Sequence, residues 1–302
     1  MPMNILSIND LSKDDMLKIF DIAENLKDNK EQTSLRENST LALFFEKPST
    51  RTRTSFEAGI SQLGGKGIYI DSNTTQKSRG ESFADIGRML SSYCDFIAAR
   101  LYRHDDIVEM AENSSVPVIN ALTDLEHPTQ ALVDMYTINS HIKNFKDVKI
   151  AFVGDIATNT ANSLMLAATK LGARMTLVGP KDYNPNSTYF NKAREHGLVY
   201  VYDNVKEGLE GANIVYTDTF VSMGQEVEAE KRKELFKDFQ VNSKLLEYAD
   251  PSALVMHCLP AHRGEEITSE VIDGPKSIVW EQAKNKLLIA KALLLFLSLQ
   301  QN

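Results

Sequence analysis

A chain of 302 residues with 42% hydrophobic and 25% charged side chains, 15 Gly and 9 Pro is long enough for two folded domains and carries no disordered or collagen-like signature. Its formal charge of −8 and pI near 5.4 argue against a protein that coats nucleic acid or an anionic membrane, so any basic cluster is local. The two cysteines, Cys94 and Cys258, lie far apart, and the six histidines do not combine with cysteines or carboxylates at zinc-ligand spacing, which argues against a disulfide framework or a metal cage.

At the N-terminus the charged segment, apolar core and cleavage site of a secretory signal are missing, and the expected location is the cytoplasm. Short apolar, often β-branched runs then alternate with helical patterns. The first series is "TLALFF" (40–45), "GIYI" (67–70), "DFIAA" (95–99) and "PVIN" (117–120), followed by a helix from about His127. The second is "VKIAFVG" (148–154), "MTLVG" (175–179), "LVYVY" (198–202), "NIVYT" (213–217) and "ALVMHC" (253–258). This alternation predicts an α/β protein of two domains, each a mostly parallel sheet flanked by helices. The polar stretch "NSHIKNFKD" (139–147) sets the expected junction near residue 142, giving domains 1–142 and 143–280. From about Glu281 to 302 the pattern is helical with no strand after it, and this segment is expected to pack back on the first domain. Its apolar run "LLIAKALLLFLSL" (287–299) is interrupted by Lys291 and falls short of the ~20 residues of a membrane span, so it reads as a buried helix.

The stretch "KPSTRTRTSFEAGISQLGG" (47–65) follows the first strand. Pro48 and Ser49 are helix-start signals, Phe56, Ile60 and Leu63 recur on one face, and Gly64 with Gly65 ends the helix. Ser49, Thr50, Arg51 and Thr52 therefore sit at a helix N-terminus, where free N–H groups and the positive dipole end favour a phosphate. At ~100° per residue Arg51 and Arg53 point to nearly opposite sides, so one of them, Arg51, is assigned to the anion. Taken alone, the segment also reads as a serine cap followed by a solvated face. It lacks the G-x-x-x-x-G-K-[ST] of a triphosphate loop, and "FVGDIATNT" has one glycine, Gly154, where a dinucleotide fingerprint needs three.

Seven segments, in order, carry a wider resemblance: "PSTRTRTSFE", "GESFADIGRML", "ARLYRH", "HPTQALVD", "GD" after a strand, "YTDTFVSMGQE" and "HCLPAHRGEEI". Over essentially its whole length the chain resembles the aspartate/ornithine carbamoyltransferase family, in which the Ser-Thr-Arg-Thr segment binds the phosphate of carbamoyl phosphate. Within it, "SMG" and "HCLP" resemble the ornithine-using branch. An aspartate-using site would place basic and amide residues in the loop, whereas "VSMGQEVEAE" has no arginine before Arg232. Asp218 with a thiol suits an amine electrostatically.

The resemblance implies the following roles. Ser49, Thr50, Arg51 and Thr52 hold phosphate; Arg100, after "DFIAA", bridges phosphate and the carbonyl oxygen. His127 donates to that oxygen and Gln130 contacts the carbamoyl amide. Gln76, with Lys77 and Arg79 as further candidates, reaches from its loop into a neighbouring subunit's site, which implies a homotrimer with active sites at subunit interfaces. Asn159 holds the ornithine α-carboxylate; Asp218 and Ser222 contact the amine, and the Ser222, Met223, Gly224 loop closes over it. The Cys258 thiol lies beside the δ-nitrogen, with the Leu259 region on the carbamoyl amide. Where the family commonly has "ENRLH" this chain has "KNKLL", so Lys286 replaces an arginine, keeping a charge and losing the planar fork. Singly, these residues also read as caps, surface groups or a buried free cysteine. His257 beside Cys258 invites a nucleophile pair, but adjacent strand residues face opposite sides, so His257 is read as structural with no covalent intermediate.

The expected reaction is carbamoyl transfer from carbamoyl phosphate to the δ-amine of L-ornithine, giving L-citrulline and phosphate in arginine biosynthesis. Arg100, His127, Asp218 and Cys258 are the expected catalytic set, with no metal or organic cofactor. Two alternatives stand beside it: putrescine or N-acetylornithine as acceptor, and a catalytically silent metabolite-binding protein.

Overall fold

The computed structural model describes residues 2–28, 34–221 and 226–301. The chain divides into two compact units, Met1–Val133 with Lys284–Asn302, and Asp134–Ala283. The division falls within a helix, upstream of the polar stretch near residue 142. Among the described residues no helix is long and apolar enough to cross a membrane.

In the first unit the elements run α1 (Lys13–Lys27), β1 (Thr40–Phe45), α2 (Arg51–Gln62), β2 (Lys66–Asp71), α3 (Phe83–Ser91), β3 (Phe96–Arg100), α4 (His104–Glu112), β4 (Val118–Leu122) and the start of α5 (Pro128–His141). All four strands are parallel, in the order β2-β1-β3-β4. Strands β1, β3 and β4 are buried almost throughout, which is why they read as unbroken apolar runs rather than alternating ones. The connection reverses direction between β1 and β3, and the crevice beyond the strand ends at such a switch is where open α/β sheets place ligands. Register sets Phe45 opposite Arg100, and the Glu46 N–H donates to the Arg100 carbonyl at 2.9 Å, so the segment leading into α2 begins beside Arg100. The "NTTQKSRG" stretch, expected as a plain loop, forms two 3₁₀ turns, Ser72–Thr74 and Gln76–Arg79, nucleated by the side chains of Asp71 and Thr75.

Helices α3 and α4 approach closely at Gly87: a Cβ there would sit 2.5 Å from the Met110 carbonyl oxygen and 2.9 Å from Ser114 Oγ. Neither neighbour is a flexible side-chain tip. Gly87→Ala is therefore expected to destabilise the protein by about 1–3 kcal/mol, read as a lower denaturant midpoint at unchanged slope.

The second unit continues α5 and adds β5 (Lys149–Val153), α6 (Asn159–Leu171), β6 (Arg174–Val178), α7 (Ser187–His196), β7 (Val199–Tyr202), α8 (Val205–Leu209), β8 (Ile214–Thr217), α9 (Ala229–Phe236), α10 (Ser243–Leu246), β9 (Leu254–His257), α11 (Ser269–Ile272) and the start of α12 (Val279–Leu299). Its parallel sheet has the order β7-β6-β5-β8-β9, with the switch between β5 and β8. Val153 pairs with Thr217 there, and Thr217 pairs with His257, so Gly154-Asp155, Asp218 and Cys258 leave three adjacent strands at the same edge. A core of Val153, Val178, Val215, Phe220, Phe236 and Val255 lies on one face of this sheet. Helix α12 starts two residues earlier than its sequence pattern indicates, and from Lys284 onward it belongs to the first unit.

Candidate active site

On the first unit, α2 opens at Arg51 with Thr50 as its cap residue, and the Thr50 side chain makes no capping bond. Helix geometry parts the two arginines. Arg53 Nε bonds Glu57 at 3.2 Å and its guanidinium lies 3.4 Å over the Tyr69 ring, which leaves Arg51 for the other side. Arg100 is 8% exposed, and its Nε makes no hydrogen bond. Burial, then the like charge of Arg51, pulls its guanidinium down to about 10. Lys47 is likewise lowered by burial and then by Arg100. Two guanidiniums and an ammonium held close, one deeply buried, need an anion among them.

His127 stands just before α5, buried, with Nδ1 3.3 Å from Thr129 Oγ1. Burial, then Lys286, then Arg100, hold its imidazole well below the usual range, so it is neutral at pH 7. Lys286 also lines one cavity with Thr52, Ser55 and Thr129, so the distant α12 supplies a cation to the α2 start. The structure thus brings Arg51, Thr52, Arg100, His127 and Lys286 into one neighbourhood. Gln130 lies one turn into α5, buried; Gln76 is exposed on its 3₁₀ turn, and the Lys77 ammonium is 4.0 Å over the Phe83 ring.

On the second unit, Asp218 follows β8 and is 9% exposed. Its Oδ1 accepts from the Thr219 N–H at 2.7 Å and from the Cys258 thiol at 2.9 Å. Asn159 opens α6; the cap is Thr158, whose Oγ1 accepts from the Ala161 N–H at 3.1 Å, so Asn159 is not the cap its sequence position resembles. Ser222, Met223 and Gly224 lie outside the described residues. His257 Nδ1 accepts from the Leu259 N–H at 2.9 Å, which leaves the proton on Nε2, donated to Glu266 Oε1 at 3.0 Å. His257 is therefore occupied on both nitrogens, and the thiol turns to Asp218.

Two family models match the chain: the carbamoyl-P binding domain of aspartate/ornithine carbamoyltransferase over residues 3–140, and the Asp/Orn binding domain of the same family over residues 146–297. The chain belongs to the aspartate/ornithine carbamoyltransferase family. It is similar to the ornithine carbamoyltransferase of Methanobrevibacter smithii, 44% identical over 296 residues that span 96% of this chain and 98% of the relative. It also resembles the anabolic ornithine carbamoyltransferase of Pyrococcus furiosus, 46% identical over 265 residues, or 86% of this chain and 84% of that one. Among solved structures, the Pyrococcus furiosus enzyme superimposes with a TM-score of 0.91 at 42% identity, covering 97% of this chain and 96% of that one. The anabolic enzyme of Campylobacter jejuni gives 0.92 at 37% identity, covering 98% and 99%.

Among the described residues, two trios have metal-ligand atoms within 4.8 Å of one another: Asp218, His257 and Cys258, and His262, Glu265 and Glu266. Most of these groups already bond protein donors or acceptors, although Glu266 Oε2 makes no hydrogen bond and His262 Nδ1 lies 3.7 Å from it. Lys233 holds Glu265 at 2.9 Å, and Glu266 Oε1 accepts from the His262 N–H at 2.6 Å as well as from His257.

The neutral state of His127 has a measurable consequence for this carbamoyltransferase. An unfolded histidine titrates near 6.5, whereas the folded His127 refuses the proton. Below that pH the unfolded chain binds more protons than the folded one, so stability falls as pH falls. The expected contribution is up to about 1.4 kcal/mol per pH unit, starting at pH ~6.5, and His127→Asn should flatten that part of a denaturation-versus-pH curve.

Proposed function

We propose that this chain transfers the carbamoyl group of carbamoyl phosphate to the δ-amine of L-ornithine, releasing L-citrulline and phosphate. The observation that carries the choice of acceptor is a carboxylate, Asp218, hydrogen-bonded to the Cys258 thiol where a dicarboxylic acceptor would call for a cation. The names of the relatives at 44% and 45% identity over nearly the full chain support the same acceptor.

In this reading the amine nitrogen attacks the carbonyl carbon, the bond from that carbon to the phosphate oxygen breaks, and the amine gives up a proton. Arg51 with Ser49, Thr50 and Thr52 at the α2 start grips the departing phosphate, and Lys286 adds a second charge. Arg100 and the neutral N–H of His127 take the charge developing on the carbonyl oxygen. Gln130 and the Leu259 backbone orient the carbamoyl amide. Asp218 and Cys258 select and aim the deprotonated amine; Asn159 holds the α-carboxylate, with Ser222 and Met223 closing over the side chain. Residues 1–142 with 281–302 serve the phosphate donor and residues 143–280 the amino acid. The names of the anabolic relatives favour the arginine-forming direction. We place the enzyme in the cytoplasm as a homotrimer, with Gln76 serving a neighbouring subunit's site.

The test is citrulline formation from carbamoyl phosphate and L-ornithine, with aspartate, putrescine and N-acetylornithine run in parallel between pH 7 and 9. Turnover with ornithine alone is expected. Equal turnover with another acceptor would overturn the acceptor assignment, and none with any acceptor would restore the silent binding protein.

A further inference from the structure

One buried carboxylate of the first unit lies outside the sets above. Glu126 is 1% exposed and stands directly before His127. Its Oε1 accepts from the Ser7 hydroxyl and its Oε2 from the Ile8 N–H at 3.1 Å. Ser7 Oγ, the donor in the first of these bonds, accepts from the Asn9 N–H at 3.0 Å and so caps a short 3₁₀ turn, Ile8–Asp10.

The segment that carries Ser7 is itself fixed to the sheet. Ile5 pairs in parallel with Ile119 of β4, its N–H donating to the Val118 carbonyl at 2.9 Å and its carbonyl accepting from the Asn120 N–H at 2.8 Å. The Asn120 side chain adds a bond to the Leu6 carbonyl at 2.8 Å. From the other side, Thr123 holds the peptide that joins Glu126 to His127: its N–H donates to the Glu126 carbonyl at 2.9 Å, and its Oγ1 accepts from the Glu126 N–H at 3.3 Å. His127 then offers its own carbonyl to the Gln130 N–H at 3.0 Å, at the start of α5. The Leu101 N–H donates to the Leu122 carbonyl at 3.0 Å, so the turn that ends at His127 begins beside the strand end that presents Arg100. Burying a carboxylate is costly unless its oxygens are bonded, and an apolar side chain at 126 would fill the space without that cost. What the carboxylate adds is direction, since bonds to a charged acceptor are short and strong and both donors here are locked to β4.

We propose that Glu126 and Ser7 are positioning residues that hold His127 against the carbonyl oxygen of the donor by bracing the residue that leads into it. The inference rests on the reading that the neutral N–H of His127 meets that oxygen. A histidine displaced by about 1 Å still allows the donor to bind, because its phosphate is gripped at the α2 start, but it no longer meets the charge that develops on the oxygen. The cost therefore falls on kcat rather than on KM.

The experiment measures kcat and both KM values with carbamoyl phosphate and L-ornithine for the wild type, Ser7→Ala, Ser7→Thr and Glu126→Gln, each below its thermal midpoint, and repeats Ser7→Ala in a His127→Asn background. Ser7→Ala should lower kcat about tenfold. Glu126→Gln, whose amide turns a donor toward one of the two donors it replaces an acceptor for, should lower it by up to about a hundredfold, with either KM changed less than about twofold. Ser7→Thr keeps the hydroxyl and the cap, and its kcat should stay within about twofold of the wild type. In the His127→Asn background Ser7→Ala should lower kcat less than about twofold, since the position it disturbs no longer carries the donor. Folded Ser7→Ala and Glu126→Gln proteins with wild-type kcat would overturn the proposal. So would a fall by the same factor with and without His127, a fall that Ser7→Thr shares, or a rise in the KM for carbamoyl phosphate at unchanged kcat. Should Glu126→Gln fail to fold, Ser7→Ala and its pairing with His127→Asn decide the matter by the same criteria. A wild type without turnover overturns the reading of the site itself, whereas an active wild type with indifferent variants overturns the positioning role alone.

Discussion

Arg100→Met is expected to lower kcat by about a thousandfold and, with no phosphate present, to leave the protein harder to unfold than the wild type. Both effects have one cause. Arg100 ends β3, where a register shift between Ala99 and Arg100 interrupts the pairing with β4. Its guanidinium is buried, its Nε is without a hydrogen bond, and the charge acting on it is that of Arg51. The fall to about 10 corresponds to roughly 3 kcal/mol held against the charged form. In the empty protein that charge is a cost, which methionine of similar length removes; the expected gain is about 1–3 kcal/mol. In the proposed reaction it faces, with His127, the developing oxyanion, and removing one such donor costs about 10²–10³ in rate. Steady-state kinetics and denaturation with and without inorganic phosphate read both. Phosphate should raise the wild-type midpoint strongly and the variant's weakly. Near-normal turnover, or a variant less stable without phosphate, would count against this account.

The second large effect falls on the acceptor. Asp218→Asn should reduce kcat/KM for ornithine by about 10²–10³ while stabilisation by carbamoyl phosphate, measured as a thermal shift, stays at its wild-type size. The amide keeps the oxygen that accepts from the Thr219 N–H, so the backbone turn survives. What is lost is the negative charge that an ammonium or amine would meet, together with the acceptor that orients the Cys258 thiol. Losing a charged partner from a desolvated pair costs about 2–4 kcal/mol, which sets the scale of the drop. Loss of the carbamoyl phosphate shift as well would mean that Asp218 supports the fold rather than the acceptor.

Much of the architecture could be read directly because parallel strands buried on both faces must be continuous apolar runs, and "TLALFF" or "KIAFV" can hardly be anything else. That Arg51 and Arg53 part to different sides of the helix was equally accessible, since a turn angle of ~100° separates residues two apart, and Arg53 does lie on Glu57 and Tyr69. Local rules failed where several side chains compete for one backbone group: Thr158 rather than Asn159 caps α6, and Asp71 and Thr75 draw the Gln76 segment into short turns. They had nothing to offer for Asp155 with Arg232, or for His257 with Glu266. Asp155, just past β5, meets Arg232 only when α9 folds back over the sheet, and His257 meets Glu266 through the turn of the segment after β9; no periodicity or spacing marks either pair. Arg232 figures in the sequence only as the first arginine beyond the acceptor loop, and among the mixed charges of "AEKRKELF" nothing distinguishes it from the two lysines beside it.

The first unit is built from two separated stretches of chain, and this sets an order of assembly that runs against the order of the sequence. A chain leaving the ribosome completes Asp134–Ala283 before Lys284–Asn302 exists, so the second unit can close while the first still lacks the helix that covers it. Arg100 and His127 are made early, yet Lys286 reaches them last. A nascent chain halted near residue 283 therefore holds every residue of the second unit, while the first still lacks the helix that brings Lys286 to His127 and the α2 start.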